Sequence, residues 1–393
     1  MVFVIPRPMP ALIESVQVHV ISVPLAEPFA FSQGWAERRS SVLVEVRTRD
    51  GVTGWGECLC HGQQPPQVAA AILEHALVPH VVGRDAFDVE VLWEELYNRT
   101  RPYGQGGAVI NALSGLDIAL WDVLGRTLGQ PVHKLLGGAF RTRVEPYVTG
   151  FYRRRGASYP DEGVREAEAH VAAGFRALKL KTGFGVDDDL ACVRAVRRAV
   201  GPDVRLMIDA NCAYPAGIAR RLLLELAPER LHFFEEPLAP EDLDGYRSLR
   251  GLTATAIAGG ENILGKHAAR PWITGGALDL FQPDLCACGG FTEAKKISAL
   301  CQAWHLPIVP HVWGSGVCLA ASLQFIATLL PTPLSAHPIE PLLEYDRSDH
   351  PFRTALVHGA IQRAADGFVP IPTGPGLGIE VDRSVIERYR AVP

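Results

Sequence analysis

Three acidic residues, Asp209, Glu235 and Glu261, stand 26 residues apart, and each closes a short apolar run. An interval of that length holds one strand, one helix and their turns, so each acid marks one β/α unit. Eight such runs follow residue 143: Val144–Thr149, Ala177–Lys181, Arg205–Asp209, Leu231–Glu235, Thr255–Gly259, Ala277–Gln282, Pro307–His311 and Glu340–Tyr345. Helix-length stretches separate them, among them Glu162–Ala173, Asp188–Val200, Ala216–Leu226, Thr292–Trp304 and Leu319–Leu329. The alternation predicts an α/β fold, a (β/α)8-type, TIM-like barrel over residues 140–365.

Residues 12–135 read differently, as an α+β capping domain. Val16–Pro24 alternates like a strand, and Ser41–Arg47 and Val52–Cys58 flank a D-G turn at Asp50-Gly51, a hairpin signal. Helical patterns cover Pro66–Val81, Asp88–Thr100 and Ala108–Leu128, the last ending at Gly129-Gln130-Pro131. The Gly/Pro-rich stretch after Gly367 suits no further β/α unit, so residues 366–393 are expected to return to the first domain.

Charge excludes some partners. The net charge is −5 and no basic stripe exists, which argues against nucleic acid. Pro6, Pro8 and Pro10 break the N-terminal apolar stretch, which lacks the parts of a signal peptide, and no run reaches about 18 apolar residues, so no membrane span is expected. The default expectation is a cytoplasmic protein. Its eight cysteines then read as reduced thiols, and the two C-x-C pairs, Cys58/Cys60 and Cys286/Cys288, are too closely spaced for a zinc knuckle.

Active sites of such barrels lie at the C-terminal ends of the strands. Those ends carry Lys179-Leu180-Lys181, Asp209-Ala210-Asn211, Glu235-Glu236, Gly260-Glu261, Asp284, His311 and Glu344. Three carboxylates converging on one mouth repel one another unless a cation joins them, and an all-oxygen set favours Mg2+ over zinc. Capping of the following helices is the plainer reading of any one acid alone. Lys179 and Lys181 share one strand face, and the same parity leaves open that Leu178 and Leu180 point inward instead. Inward lysines beside a metal are expected to have lowered pKa values and to serve as bases. Asp284 is placed to hold one nitrogen of His311 and free the other for proton transfer.

The runs KLK, IDAN, FEEP, GGEN, QPD, VPH and LLE, with GWGEC, ALSGLDIALWD and PTGPGLGIEV, resemble the mandelate racemase subgroup of the enolase superfamily across nearly the whole chain. The resemblance implies Mg2+ held by Asp209, Glu235 and Glu261, with Lys181 as base and Lys179 tuning it. It further implies His311 acting from the opposite face with Asp284 behind it, and Glu344 bonded to an enolic intermediate. Asn211, Lys179 and Trp313 would contact a small carboxylate substrate, and a homo-oligomer is implied. VPHVWGSGV and QPDLCACGGFTEAKKI look closest to the D-galactarolactone cycloisomerase type, with sugar-acid dehydratases nearly as similar. Two positions depart from that type: Cys212-Ala213 stands where His-Gly is expected, and Asn262 where Thr is expected.

Three functions compete. A lyase or cycloisomerase would remove a proton next to a carboxylate of an acid sugar or its lactone and then eliminate an oxygen. A racemase or epimerase would return the proton from the opposite base. A carboxylate-binding protein would need no opposed bases. Specificity is expected from two capping segments, Ala26–Glu37 with Phe29, Phe31 and Trp35, and the stretch with His61 and Gln63; ordinary exposed connection is the plainer reading of both.

Overall fold

The computed structural model describes residues 10–61, 63–332, 335–358 and 361–391. The reading of Pro6 and Pro8 and the last two residues of the 366–393 segment lie outside these. Strands β1 (Ile13–Phe31), β2 (Gly34–Thr48) and β3 (Thr53–Cys58) form an antiparallel sheet in the order β3–β2–β1. The expected turn joins β2 to β3, with the Gly51 N–H donating to the Thr48 carbonyl at 3.0 Å and Gly51 at φ +88°. The strand predicted to end at Pro24 runs on to Phe31 after a register shift between Pro24 and Phe29. Residues 26–37 are therefore the far end of a long hairpin rather than a loose connection.

Helices α1 (Pro66–Ile72), α2 (Val89–Thr100) and α3 (Ala108–Leu128) pack on this sheet. The helix predicted to reach Val81 loosens after Ile72 into a π turn and then a 3-10 turn, because Pro79 has no N–H to continue the ladder. Among the described residues α3 alone is long and apolar enough to cross a membrane, and 89% of its apolar window is buried inside the protein. It lies directly on β3 because glycines face it. A methyl group at Gly56 would fall 1.9 Å from the Gly115 carbonyl oxygen.

The second part contains parallel strands β4 (Arg143–Thr149), β5 (Ala177–Lys181), β6 (Arg205–Asp209), β7 (Phe233–Glu235), β8 (Ala256–Gly259), β9 (Leu280–Phe281) and β10 (Leu342–Asp346). Their lateral order is β9–β8–β7–β6–β5–β4–β10. The run Pro307–His311 joins β9 only through the bridges Phe281–Ile308 and Asp284–His311, since Pro307 and Pro310 cannot donate to a ladder. Helices α4 (Asp161–Ala172), α5 (Val186–Val200), α6 (Ala216–Glu225), α7 (Leu243–Leu249), α8 (Gly265–Thr274), α9 (Gly290–Ala303) and α10 (Gly316–Ala327) surround the strands.

One inward layer closes the barrel. Tyr147, Ala177, Met207, Phe233, Ala258, Leu280, Val309 and Leu342, one from each of the eight runs, form a single buried cluster. Strand side chains repeat every two residues, so the next inward layer follows from these positions. It reads Thr149, Lys179, Asp209, Glu235, Gln282, His311 and Glu344, polar throughout. Leu178 and Leu180 instead join the cluster that includes Leu190 and Val193 of α5, which places them outside the barrel. In β8 the parity is reset by Gly260 at φ +142°, where a side chain would meet the Gln282 backbone nitrogen at 2.7 Å, and Glu261 follows.

The chain end lies against the first domain. The Leu377 N–H donates to Asp122 of α3 at 2.7 Å, and the Ala391 N–H donates to the Val20 carbonyl at 2.9 Å. A buried ion pair links β2 to β10: Arg39 Nη2 lies 3.1 Å from Asp346 Oδ2, while Arg353 lies 3.0 Å from the same oxygen. The Arg39 guanidinium also stacks 3.9 Å from the Trp313 ring centre.

Two stability measurements check this account. Gly56→Ala forces α3 from the sheet and should cost about 1–3 kcal/mol in urea unfolding, whereas Gly217→Ala, with nothing within 4 Å of the added methyl, should cost nothing. Arg39→Met leaves Asp346 with one cation fewer in a dry interface and should cost about 3–5 kcal/mol by the same measurement.

Candidate active site

The polar layer sits at the C-terminal mouth, and its members are bonded to one another. Strand register sets Lys181 beside Asp209 and Asp209 beside Glu235. Lys181 Nζ donates to Asp209 Oδ2 at 2.5 Å and to Asn211 Oδ1 at 2.9 Å. One pleat deeper, Lys179 Nζ donates to both Glu235 oxygens at 2.9 and 2.8 Å and lies 2.7 Å from Glu344 Oε1. Glu344 also accepts from Thr149 Oγ1 at 2.5 Å and from the Val312 N–H at 2.9 Å.

At the other side of the mouth, Asp284 Oδ2 is 2.7 Å from His311 Nδ1, and the Cys286 N–H holds the second Asp284 oxygen at 2.6 Å. His311 Nε2 then faces Glu261 Oε2 at 3.2 Å. A row of groups thus spans the mouth from Lys181 to His311, with the three acids between.

These surroundings set the charges. Burial works to lower the pKa of Lys181, but Asp209 and its other neighbours outweigh burial and hold it above its ordinary value. Lys179 follows the same pattern, with Glu235 and Glu344 outweighing burial. The acids, rather than lysine–lysine repulsion, dominate the local field of the two lysines. Burial also opposes the charged form of His311, yet Glu261, Glu344 and Asp284 raise its pKa well above the ordinary value. Burial lifts Glu235 to about 8 despite Lys179.

The donor set is compatible with a divalent cation. Asp209, Glu235 and Glu261 offer only oxygen, and Glu261 Oε2 is buried with no hydrogen bond, facing the His311 ring at 3.2 Å. The lysine ammoniums take up oxygens of the other two, and the three acids do not form a tight cluster. Among the described residues the tight cluster of potential ligands is Asp284, Cys286 and Cys318, with ligand atoms within 4.8 Å of one another. There Asp284 is already committed to His311. All eight cysteines are free thiols, and Cys286, from the second C-x-C pair, belongs to that cluster.

The first domain completes the mouth. At the hairpin tip, Ser32 Oγ donates to the Ala210 carbonyl at 2.7 Å and Gln33 Nε2 to the Asn211 carbonyl at 2.9 Å. Gln63 Nε2 fastens the second capping segment to the Gln33 carbonyl at 2.9 Å. Phe29 packs 4.3 Å from Tyr152 between ring centres, and Trp313 Nε1 donates to Tyr152 Oη at 2.8 Å. His61 lies 6.2 Å from His311 and 6.4 Å from Trp313 between ring centres, and burial pushes its pKa down to about 4. Trp35 stays at the rim under Arg155, and Phe31 flanks the Phe29 cluster.

Three residues of this site were given no role by the sequence. Gln282 Nε2 donates to Glu235 Oε2 at 2.8 Å; its place two residues before Asp284 was the available signal. Tyr152 lies 5.6 Å under Lys181 Nζ, on a loop with no such signal. Glu236 is a further buried acid, reached by Asn262 Nδ2 at 2.8 Å and Cys212 Sγ at 3.3 Å. The two positions that depart from the cycloisomerase type therefore meet on one side chain. A separate cavity of about 240 Å³ lies at the opposite end of the barrel, against Arg205, Leu280 and Leu342 at the strand starts.

Comparisons with known proteins agree with this architecture. Residues 14–137 match the family described as Mandelate racemase / muconate lactonizing enzyme, N-terminal domain, and residues 162–385 match Enolase C-terminal domain-like. The chain is 43% identical to a D-galactarolactone cycloisomerase of Agrobacterium fabrum, over 96% of this chain and 98% of that protein. It is 32% identical to a D-galactonate dehydratase of Ralstonia pickettii, over 90% and 92%. Among solved structures, a 3,6-anhydro-D-galactonate cycloisomerase from Zobellia galactanivorans superposes with a TM-score of 0.87 at 35% identity, covering 97% of this chain and 100% of that one. A racemase from Streptomyces coelicolor A3(2) with bound magnesium gives a TM-score of 0.86 at 28% identity, covering 97% and 100%. The polar layer, the barrel and the sheet domain over its mouth agree with the family matches, and this chain belongs to the enzymes of the enolase superfamily, in the mandelate racemase and muconate lactonizing enzyme family.

Proposed function

We propose that this enzyme removes the proton next to the carboxylate of an acid sugar or its lactone and then expels a β-oxygen, as a cycloisomerase or dehydratase. The observation that carries this reading is the row of three buried acids flanked by Lys181 on Asp209 and by the Asp284-backed His311 on Glu261. Asp209, Glu235 and Glu261 would hold Mg2+, which when bound supplies positive charge to the substrate carboxylate. Lys181, released from Asp209 as that acid engages the cation, would take the proton. His311, charged and held by Asp284, would deliver a proton to the departing oxygen from the other side. Lys179, Asn211 and Trp313 would orient the substrate, and Glu344 would keep Lys179 charged and in place.

A racemase or epimerase is the second reading, favoured by the presence of two opposed acid/base groups. A panel of aldaric acids, aldonic acids and lactones in D2O with Mg2+ separates the two. Elimination or ring opening gives a 2-keto product, and racemisation gives deuterium incorporation with no net elimination. Absence of both across the panel rejects the reading. Lys181→Ala and His311→Asn should each lower turnover of the active substrate by about 10²-fold or more. Stripping the metal with a chelator should abolish turnover, and Mg2+ should restore it. Mg2+ should also raise the melting temperature, with stabilisation of about 2.7 kcal/mol at one hundred times Kd, and Glu261→Gln should remove that rise. A homo-oligomer belongs to the same reading and is read by light scattering.

A further inference from the structure

The loops that carry the two halves of the His311–Asp284 pair each run into a helix whose N-terminus is held by the first domain. His311 stands five residues before α10, whose N-cap is Ser315. Glu57, at the end of β3, enters the start of this helix from the other domain. Its carboxylate accepts from the Ser315 N–H at 3.0 Å, Ser315 Oγ at 2.6 Å, the Cys318 N–H at 2.9 Å and Ser41 Oγ at 2.7 Å. Gly314 leaves room for it, since a side chain there would stand 3.0 Å from Glu57 Oε1. Glu57 is 2% exposed, so water cannot take over these bonds.

Asp284 is treated alike. The segment after it enters α9, whose N-cap, Gly289, offers no side-chain cap. From α3, Ser114 Oγ accepts the Gly289 N–H at 2.8 Å and Asp117 accepts the Thr292 N–H at 3.1 Å. The Leu59 N–H, two residues beyond Glu57, donates to the Cys286 carbonyl at 2.9 Å.

A carboxylate at a helix N-terminus satisfies N–H groups that the helix leaves bare and meets the positive end of its dipole. Here the acid comes from another domain, so the bond fixes where the helix starts relative to that domain. Between His311 and Ser315 the chain is tethered at Val312 by Glu344 and at Trp313 by Tyr152, which leaves little slack. We propose that Glu57 is a positioning residue for the acid/base pair: the first domain, through Glu57 with Asp117 in support, sets the placement of His311 against the substrate.

The proposal rests on the activity proposed above, and its test separates the two. Glu57→Gln keeps the shape but turns an amide N–H2 towards N–H donors. Removal of the α-proton, assigned to Lys181, is read by deuterium exchange in D2O, and expulsion of the β-oxygen, assigned to His311, by the 2-keto product. Glu57→Gln should slow expulsion at least tenfold without slowing α-proton exchange. Equal loss of both, or loss of neither, overturns the proposal. If the unaltered protein gives neither exchange nor 2-keto product, the proposed activity fails, and amide hydrogen exchange decides the positioning alone. Faster exchange across residues 312–318 than across 177–181 in Glu57→Gln supports it; uniform change or no change overturns it. Should Glu57→Gln fail to fold, Ser315→Ala removes the hydroxyl partner and is read by the same measurements, with smaller shifts in the same pattern.

Discussion

Everything at the barrel mouth depends on one electrostatic problem. Asp209, Glu235, Glu236, Glu261, Asp284 and Glu344 are all buried within a few residues of the strand ends. Acids gathered out of water destabilise a fold unless cations or donors meet them. Lys179 and Lys181 answer part of this by entering from β5, between Glu344 on one side and Asp209 with Glu235 on the other. Gln282, Asn262 and backbone N–H groups answer more of it. The Glu261 oxygen that makes no hydrogen bond faces the His311 ring at 3.2 Å, so its charge can be met there by His311 or by a cation.

The same constraint explains the layering of the barrel. An apolar ring of one residue per strand seals the lower interior, and the polar ring lies one pleat above it. The apolar ring shields the lysines and acids from the solvent at the far end, so their mutual attraction is felt at low dielectric. The first domain then covers the other side with Phe29, His61 and the hairpin tip. Neither part would supply a dry, charged compartment alone.

Much of this was legible in the sequence, because it rests on period. The 26-residue spacing of the acids and the two-residue alternation within strands placed the fold and put most of the polar layer at one height. What escaped depends on local departures from period. Glu236 adopts positive φ, so its side chain leaves the direction that alternation assigns. The hairpin continued past Pro24 through a register shift, and the seventh run lost its ladder to two prolines.

The hairpin tip has a consequence for divergence among relatives. Ser32 and Gln33 grip carbonyl oxygens of residues 210 and 211, which every amino acid possesses. The cover therefore recognises the path of the main chain and is indifferent to the side chains it closes over. Positions such as Asn211 and Cys212 are free to change in descent while the compartment still shuts. A lineage can try new substrates without first relearning how to exclude water.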